Sequence, residues 1–337
     1  MERDLPHRIT FQWHLTDRCN YRCAHCYQHE YQYNGVDFQE LVFFLDQMEQ
    51  FVQAAAMEHK NVKAHINFTG GEPFLRTDFL QLLKNTEDRH LFTFGILTNG
   101  LLLPSNQLSE LKKLKPRFIQ ISLDGNQKVN DGIRGDGAYK QAVKAIKTYT
   151  KLDIPVMISF TANALNYKNF PDVVRIARRC HAFKVWTDRY LPCSFDDPLV
   201  LTTEQTKEYF ELIVKEQEKE RFHFLSNTKI SSNRALQFLI AGGSPYKCAA
   251  GNNLLAILPN GDLLPCRRLP IKIGNLRVDN LVDLYRGNIV LRKLKDSNCL
   301  DVQCTGCYYK LACNGGLKCL SFSQTGDMFK KDPNCWI

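Results

Sequence analysis

The sequence predicts an α/β chain in which a parallel sheet with helices outside it is followed by a small cysteine-rich module. Three observations carry that expectation. Six apolar, β-forming runs alternate with stretches of helical periodicity between Arg8 and Trp186, the pattern of parallel strands joined by crossover helices. Three cysteines, Cys19, Cys23 and Cys26, follow the first run directly in a C-x3-C-x2-C spacing. Eight more crowd between Cys248 and Cys335, leaving only Cys180 and Cys193 elsewhere.

The elements follow in order. Arg8–Leu15 carries Ile9, Thr10, Phe11 and Trp13 and reads as the first strand. The cysteine loop comes straight after it, at the carboxyl end of a strand, where parallel barrels place their chemistry. From Phe38 to Met57 the apolar residues Leu41, Phe44, Leu45, Met48, Phe51 and Val52 recur at helical spacing. Val62–Phe68 is a second strand, ending in Thr69-Gly70-Gly71-Glu72-Pro73. Further strands are expected over Phe92–Leu97, Phe118–Leu123, Pro155–Ala162 and Ala182–Trp186. Helices are expected near Asp78–Asn85 and Leu108–Leu114, and over Ala138–Lys151 and Phe170–Arg179. Periodicity leaves open whether the sheet is flat or curled. Beyond Tyr190 a charged helix is expected over Thr202–Arg221, with Thr202 or Thr203 as N-cap. A short helix over Ser232–Ile240 precedes the break Ala241-Gly242-Gly243-Ser244-Pro245. The expected division is 1–190 for the sheet domain, 191–245 for a helical connector and 246–337 for the cysteine-rich module.

Composition narrows the function. The chain has 337 residues and a net charge of +9 spread along its length. Short basic runs such as Arg175–Arg179 read as solvated faces, so no nucleic-acid partner is expected. No run is apolar enough to span a bilayer and the N-terminus is not a secretory signal, so no membrane association and a cytoplasmic location are expected. Thirteen cysteines in a reducing compartment point to metal rather than to disulfides.

A cubane iron–sulfur cluster held by three convergent cysteines would keep one iron free of protein ligands. A zinc site is the competing reading, and it needs His25 or His29 as its fourth ligand. Cys19-Asn20-Tyr21-Arg22-Cys23-Ala24-His25-Cys26-Tyr27 resembles the signature of the radical S-adenosylmethionine (radical SAM) enzymes, including the aromatic residue after the third cysteine. That resemblance implies a partial (β/α)6 barrel and a 4Fe–4S cluster whose open iron binds SAM. It also implies reductive cleavage of SAM to a 5′-deoxyadenosyl radical that takes hydrogen from a substrate.

Other segments extend the likeness. Gly70-Gly71-Glu72-Pro73, an ordinary strand–helix turn when taken alone, resembles the family motif that receives the SAM amino group, which implies that role for Gly70, Gly71 and Glu72. Thr98-Asn99-Gly100 and Ser122-Leu123-Asp124-Gly125 end two strands; Asn-Gly and Asp-Gly are also common turn signals. The resemblance implies that Ser122 and Asp124 lie beside SAM, and it places Asn99 on the same face. Asn130-Asp131-Gly132-Ile133-Arg134-Gly135 is similar to a segment whose arginine pairs with the SAM carboxylate. Arg134 suits that task because a guanidinium fork matches a carboxylate; Asn130 stands where the family has histidine. Tyr27 is the candidate to pack on adenine.

In the C-terminal region a hairpin is expected over Asn253–Leu258 and Asp262–Leu264, turned at Pro259-Asn260-Gly261, with Asn-Gly as a two-residue turn signal. Cys248 and Cys266 flank it, and Cys304-x2-Cys307-x5-Cys313, Cys319 and Cys335 follow. This resembles the SPASM domain, which holds two auxiliary 4Fe–4S clusters. The resemblance implies that Cys304, Cys307, Cys313 and Cys335 hold one, and Cys248, Cys266 and Cys319 the other. Five residues rather than three separate Cys313 from Cys319, and no cysteine lies just upstream of Cys248. The second set is therefore short of a ligand, with Cys299 or Cys193 as candidates to close it. One or two zinc sites remain the competing reading here. Cys180 reads as a buried apolar residue.

The expected protein is a radical SAM oxidoreductase acting on a ribosomally made precursor peptide, by crosslinking, oxidation or epimerisation. Its expected electron donor is a flavodoxin or ferredoxin. A dehydrogenase or epimerase of a small molecule, such as a sugar or aminoglycoside, is the rival, favoured by a first strand that starts within ten residues and leaves no room for a leader-binding domain. A non-catalytic metal-binding or redox-sensing protein is the rival of another class. Cys193, after the sixth strand, is the candidate hydrogen donor to a substrate radical.

Overall fold

The computed structural model describes residues 4–28, 31–220, 227–231, 234–296 and 299–337. Among these residues one ten-stranded sheet runs in the order β10-β9-β8-β1-β2-β3-β4-β5-β6-β7. The six expected strands are β1 (Arg8–His14), β2 (Lys63–Thr69), β3 (Phe92–Thr98), β4 (Phe118–Ser122), β5 (Val156–Ala162) and β6 (Lys184–Arg189). Each pairs in parallel with the next in sequence. This uninterrupted order is that of a partial barrel and not of a doubly wound sheet, whose strand order reverses at a switch point.

Crossover helices bury their apolar faces on the sheet. The helix Phe38–Glu58 starts where Asp37 accepts the Glu40 N–H at 2.9 Å, and it buries Leu41, Phe44, Leu45, Met48, Phe51 and Val52. The helix Phe79–Asp88 begins one residue later than expected and Ser105–Lys113 three residues earlier, shifts ordinary for fraying helix ends.

The helix Gln127–Arg134 was not expected. Its Gly132 and the turn-formers Asn126 and Asp131 conceal it, yet Asn126 caps it by accepting the Val129 N–H at 3.2 Å. The helix Thr203–Glu220 is capped by Thr202, whose side chain accepts from the Gln205 N–H while Gln205 accepts from the Thr202 N–H, a reciprocal capping box. Arg221, the last residue of the expected helix, lies outside the described residues. So do Ser232 and Asn233, at the start of the expected Ser232–Ile240 helix. The described part of that segment is a 3₁₀ turn, Ala235–Gln237, running into a one-turn helix, Phe238–Ala241.

The C-terminal hairpin does not stand apart from the sheet. β8 (Leu254–Ile257) pairs in parallel with β1, and β9 (Asp262–Leu264) folds back antiparallel on β8. Its loop is the expected turn Pro259-Asn260-Gly261. Leu258 N–H donates to Asp262, and Gly261 at φ 85° closes the turn, a left-handed position suited to glycine. The two-residue strands β7 (Lys229–Ile230) and β10 (Gly274–Asn275) complete the edges. Gln47, buried on the Phe38–Glu58 helix, donates to the Leu276 and Asp279 carbonyls and accepts the Leu281 N–H, tying the N-terminal helix to the C-terminal region. Among the described residues no helix is long and apolar enough to cross a membrane.

Candidate active site

The carboxyl ends of β1 to β6 converge on one cavity of about 180 Å³. Cys19, Cys23 and Cys26 enter from the loop after β1, Gly70 and Gly71 from the end of β2 and Asn99 from β3. Ser122 comes from β4, Ser159 and Thr161 from β5, and Trp186, Asp188 and Arg189 from β6. The cysteine loop rests on the glycines: Gly71 N–H donates to Thr16 O at 2.7 Å and Glu72 N–H to Arg18 O at 2.8 Å. A Cβ on Gly71 would fall 2.2 Å from Arg18 O, so only glycine allows this approach. From the other side Ala24 N–H donates to Ile133 O, docking the loop on the Gln127–Arg134 helix.

The donor set fits an iron–sulfur cluster. All three cysteines line the same cavity, and each sulfur has an N–H donor: Asn99 Nδ2 at 3.7 Å from Cys19, Arg134 Nη1 at 3.8 Å from Cys23 and Gln28 N at 3.4 Å from Cys26. Such donors stabilise thiolate ligands. Burial pushes the Cys23 thiol up to about 11, against the pull of Arg134, so metal loading must displace protons.

Of the other expected residues, Gly70, Gly71, Asn99, Ser122, Arg134 and Tyr27 line the cavity, while Glu72 and Asp124 do not. Glu72 is fully buried beneath it, accepting from Thr98 Oγ1, Asn99 N and Phe74 N, and burial pushes its carboxyl up to about 7 despite these bonds. Asp124, also fully buried, accepts from Arg134 at 2.6 Å and from the Thr161 N–H at 2.9 Å. Its burial opposes ionisation, but Arg134 and His25 hold its carboxyl well below the usual range. Glu72 thus touches Asn99, and Asp124 touches Arg134, from beneath the residues that line the cavity. Asn130, where the family has histidine, is buried and accepts the Asp124 N–H at 2.9 Å, so it serves the same support. Tyr27 meets His14 edge-on at 6.3 Å.

Cys193 does not line the cavity. It is exposed at its margin, 3.6 Å from the Cys26 carbonyl oxygen and from the Tyr190 hydroxyl. His25 is buried with Nε2 3.1 Å from Asp124 Oδ2; His29, the other zinc candidate, lies outside the described residues. Among the described residues no three His, Cys, Asp or Glu side chains are grouped as for a single metal ion.

The C-terminal cysteines divide into two sets. Cys304, Cys307, Cys313 and Cys335 line one small cavity. Cys248, Cys266 and Cys319 line another, together with Arg267 and Arg268. Cys299 joins neither; its thiol lies 3.9 Å from Asp296. Cys180 is buried in the core, as expected. Lys318 is 2% exposed, and its Nζ has no hydrogen-bond partner among the described residues. Burial lowers its pKa, while the nearby Cys248, Cys304 and Cys313 oppose that shift. A buried ammonium with no acid among the described residues beside it suits neighbouring thiolates of both cysteine sets.

Sequence reasoning missed the far wall, Trp186, Asp188, Arg189, Arg267 and Arg268. The signal was present in Thr187-Asp188-Arg189-Tyr190 at a strand end and Cys266-Arg267-Arg268 after the hairpin. Asp188 accepts from Arg234 and Arg268, which outweigh its burial and hold its carboxyl down to about 2.

The comparisons agree with this architecture. The sequence matches the radical SAM superfamily over residues 13–180 and the SPASM iron–sulfur cluster-binding domain over residues 248–308. It is 26% identical to an AdoMet-dependent heme synthase of Methanosarcina barkeri, over 96% of this chain and 95% of the relative. It is 25% identical to the mycofactocin maturase MftC of Mycolicibacterium smegmatis, over 99% and 84%. The fold is that of Streptococcus suis SuiB crystallised with S-adenosylmethionine, with TM-score 0.77 and 16% identity over 98% of this chain and 77% of SuiB. A second SuiB crystal holds the precursor peptide SuiA (TM-score 0.75, 16% identity, 98% and 76%). With the cysteine trio at the carboxyl face of a partial barrel and two further cysteine sets behind it, this chain belongs to the radical SAM superfamily and is a SPASM-containing enzyme that uses S-adenosylmethionine and iron–sulfur clusters.

Proposed function

We propose that the protein modifies a peptide at the cavity above β1–β6 by an oxidative radical reaction, with three 4Fe–4S clusters held by Cys19, Cys23 and Cys26; by Cys248, Cys266 and Cys319; and by Cys304, Cys307, Cys313 and Cys335. Bound with SAM beside Cys19, Cys23 and Cys26, the first cluster would supply a 5′-deoxyadenosyl radical. Arg134, aimed by Asp124, is suited to hold the SAM carboxylate, and Asn99, Ser122, Tyr27 and the Gly70-Gly71 backbone to hold the rest. The observation that carries the oxidative reading is a shared wall. Leu97, Gln120, Trp186, Arg267 and Arg268 line both this cavity and the cavity of Cys248, Cys266 and Cys319. A redox centre one wall away from a substrate favours its net oxidation. The maturase MftC and the SuiA-bound SuiB support a peptide substrate.

Residues Asn20, Arg22 and Ala24 of the cysteine loop are exposed, which leaves a path for an electron donor such as flavodoxin or ferredoxin. The thirteen cysteines, all free, suit a reducing cytoplasm.

A small-molecule substrate is the second reading, favoured by the heme synthase match across nearly the whole chain. Anaerobic turnover with SAM and a reductant, read by mass spectrometry, separates the outcomes. Crosslinking or dehydrogenation removes two hydrogens, about 2 Da, whereas epimerisation preserves mass but takes up solvent deuterium. The epimerising reading assigns hydrogen donation to Cys193. Cys193→Ala then keeps 5′-deoxyadenosine formation and loses product, whereas an oxidative reaction tolerates the change. Absence of 5′-deoxyadenosine in all conditions overturns the enzymatic reading.

Replacing Lys318 tests the auxiliary clusters. Lys318→Met removes a buried positive charge and is expected to stabilise the metal-free protein while lowering the reduction potential of an auxiliary cluster, followed by electron paramagnetic resonance during a redox titration. An unchanged potential removes the support that Lys318 gives to this cluster assignment.

A further inference from the structure

Arg267 brings into the cavity a positive charge that no described side chain answers. Its backbone N–H donates to Gln12 Oε1 at 3.3 Å. Its guanidinium makes no hydrogen bond or ion pair among the described residues, and its Nε is buried without a partner. The other three arginines of the wall are committed. Arg134 bonds Asp124, Arg189 bonds Asp332, and Arg268 bonds Asp188 and the Arg189 carbonyl. Asp188, the one acid among the described residues of the wall, is already shared between Arg268 and Arg234. His14 offers no counter-charge: burial, reinforced by Arg267, holds its pKa down to about 3, so the imidazole is neutral.

A partly desolvated guanidinium without a counter-ion is costly, and it is best satisfied by an oxyanion that brings its own charge. We propose that Arg267 anchors a carboxylate of the substrate against the wall that includes Trp186. The inference rests on the reading that a substrate reacts in this cavity. In an unmodified peptide the carboxylate is an Asp or Glu side chain or the C-terminus.

The test uses cluster-loaded protein, SAM and three tripeptides, with binding followed by tryptophan fluorescence. One peptide carries a central glutamate between capped ends, one a central glutamine between capped ends, and one a central glutamine with a free C-terminal carboxylate. One acidic tripeptide is expected to bind about tenfold more tightly than the neutral one, the scale of a charge-assisted pair, and which one does so identifies the source of the carboxylate. Arg267→Gln is expected to erase the preference, and Arg267→Lys to keep part of it. Equal binding of all three by the wild type overturns the proposal, as does a preference that survives Arg267→Gln. A variant that shifts an auxiliary-cluster potential while leaving the peptide preference intact also overturns it, because the guanidinium then serves the cluster. Failure of the underlying enzymatic reading is a separate result, an absence of 5′-deoxyadenosine from the wild type.

Discussion

Replacing Cys19, Cys23 and Cys26 together with alanine is expected to reduce 5′-deoxyadenosine formation to background and to lower bound iron from about twelve to about eight atoms per chain, by cubane stoichiometry. The reasoning is local. These three cysteines line one cavity, their N–H donors come from three different segments, and no cysteine of the C-terminal sets lines that cavity. Their removal should therefore leave the iron held by Cys248–Cys335 in place. The fold should also survive, because the loop is fixed by backbone bonds to Gly71, Glu72 and Ile133 that alanine does not disturb. Iron, sulfide and zinc are measured anaerobically on both proteins. Four irons falling to none, with zinc left behind, assigns the C-terminal cysteines a structural role and removes the basis for an oxidative outcome. Twelve falling to four means that the auxiliary sites depend on the first loop, contrary to their separate cavities.

Sequence made the cysteine chemistry legible because ligand spacing is local. Cys19 to Cys26 and Cys304 to Cys313 each lie within ten residues, so the chain itself brings them together. The strands were legible for a similar reason, since each carries its own run of β-formers. Direction was not. Glu72 and Asp124 belong to recognisable segments, yet both turn beneath the cavity, and only the packing of Thr98 and Arg134 against them reveals it. Arg267 and Arg268 were invisible as site residues because their neighbours are distant in sequence: Arg268 meets Asp188 across 80 positions and Arg267 meets Gln12 across 255. The Gln127–Arg134 helix was concealed by Asn126, Asp131 and Gly132, whose turn preference the cap at Asn126 and docking on the cysteine loop override.

Removing Asp332 is expected to destabilise the protein by about 3–5 kcal/mol, the cost of leaving a buried charge without its partner. Arg189 at the end of β6 is 4% exposed and Asp332 1%. They pair bidentately at 2.8 and 2.7 Å, and Arg189 donates further to Asn334 Oδ1 at 2.7 Å. Asp332 also accepts the Leu317 and Asn334 N–H groups. A Cβ on Gly316 would sit 2.5 Å from its Cβ, so the surrounding chain closes tightly over it. Arg189 lines the cavity of the first cysteine loop and Asp332 that of Cys304, Cys307, Cys313 and Cys335, so one ion pair fixes both ends of the molecule. Asp332→Ala should thus lose stability to denaturant and also weaken iron retention at the C-terminal set. The exposed pair Arg277–Glu40 provides the contrast: Glu40→Ala should cost less than about 1 kcal/mol. The double variant Arg189→Met with Asp332→Leu distinguishes a specific pair from a general packing defect, because removing both charges abolishes the desolvation penalty and should recover most of the loss. A cost below about 1 kcal/mol for Asp332→Ala, or a double variant no better than the single one, would show that the pair does not hold the two ends together.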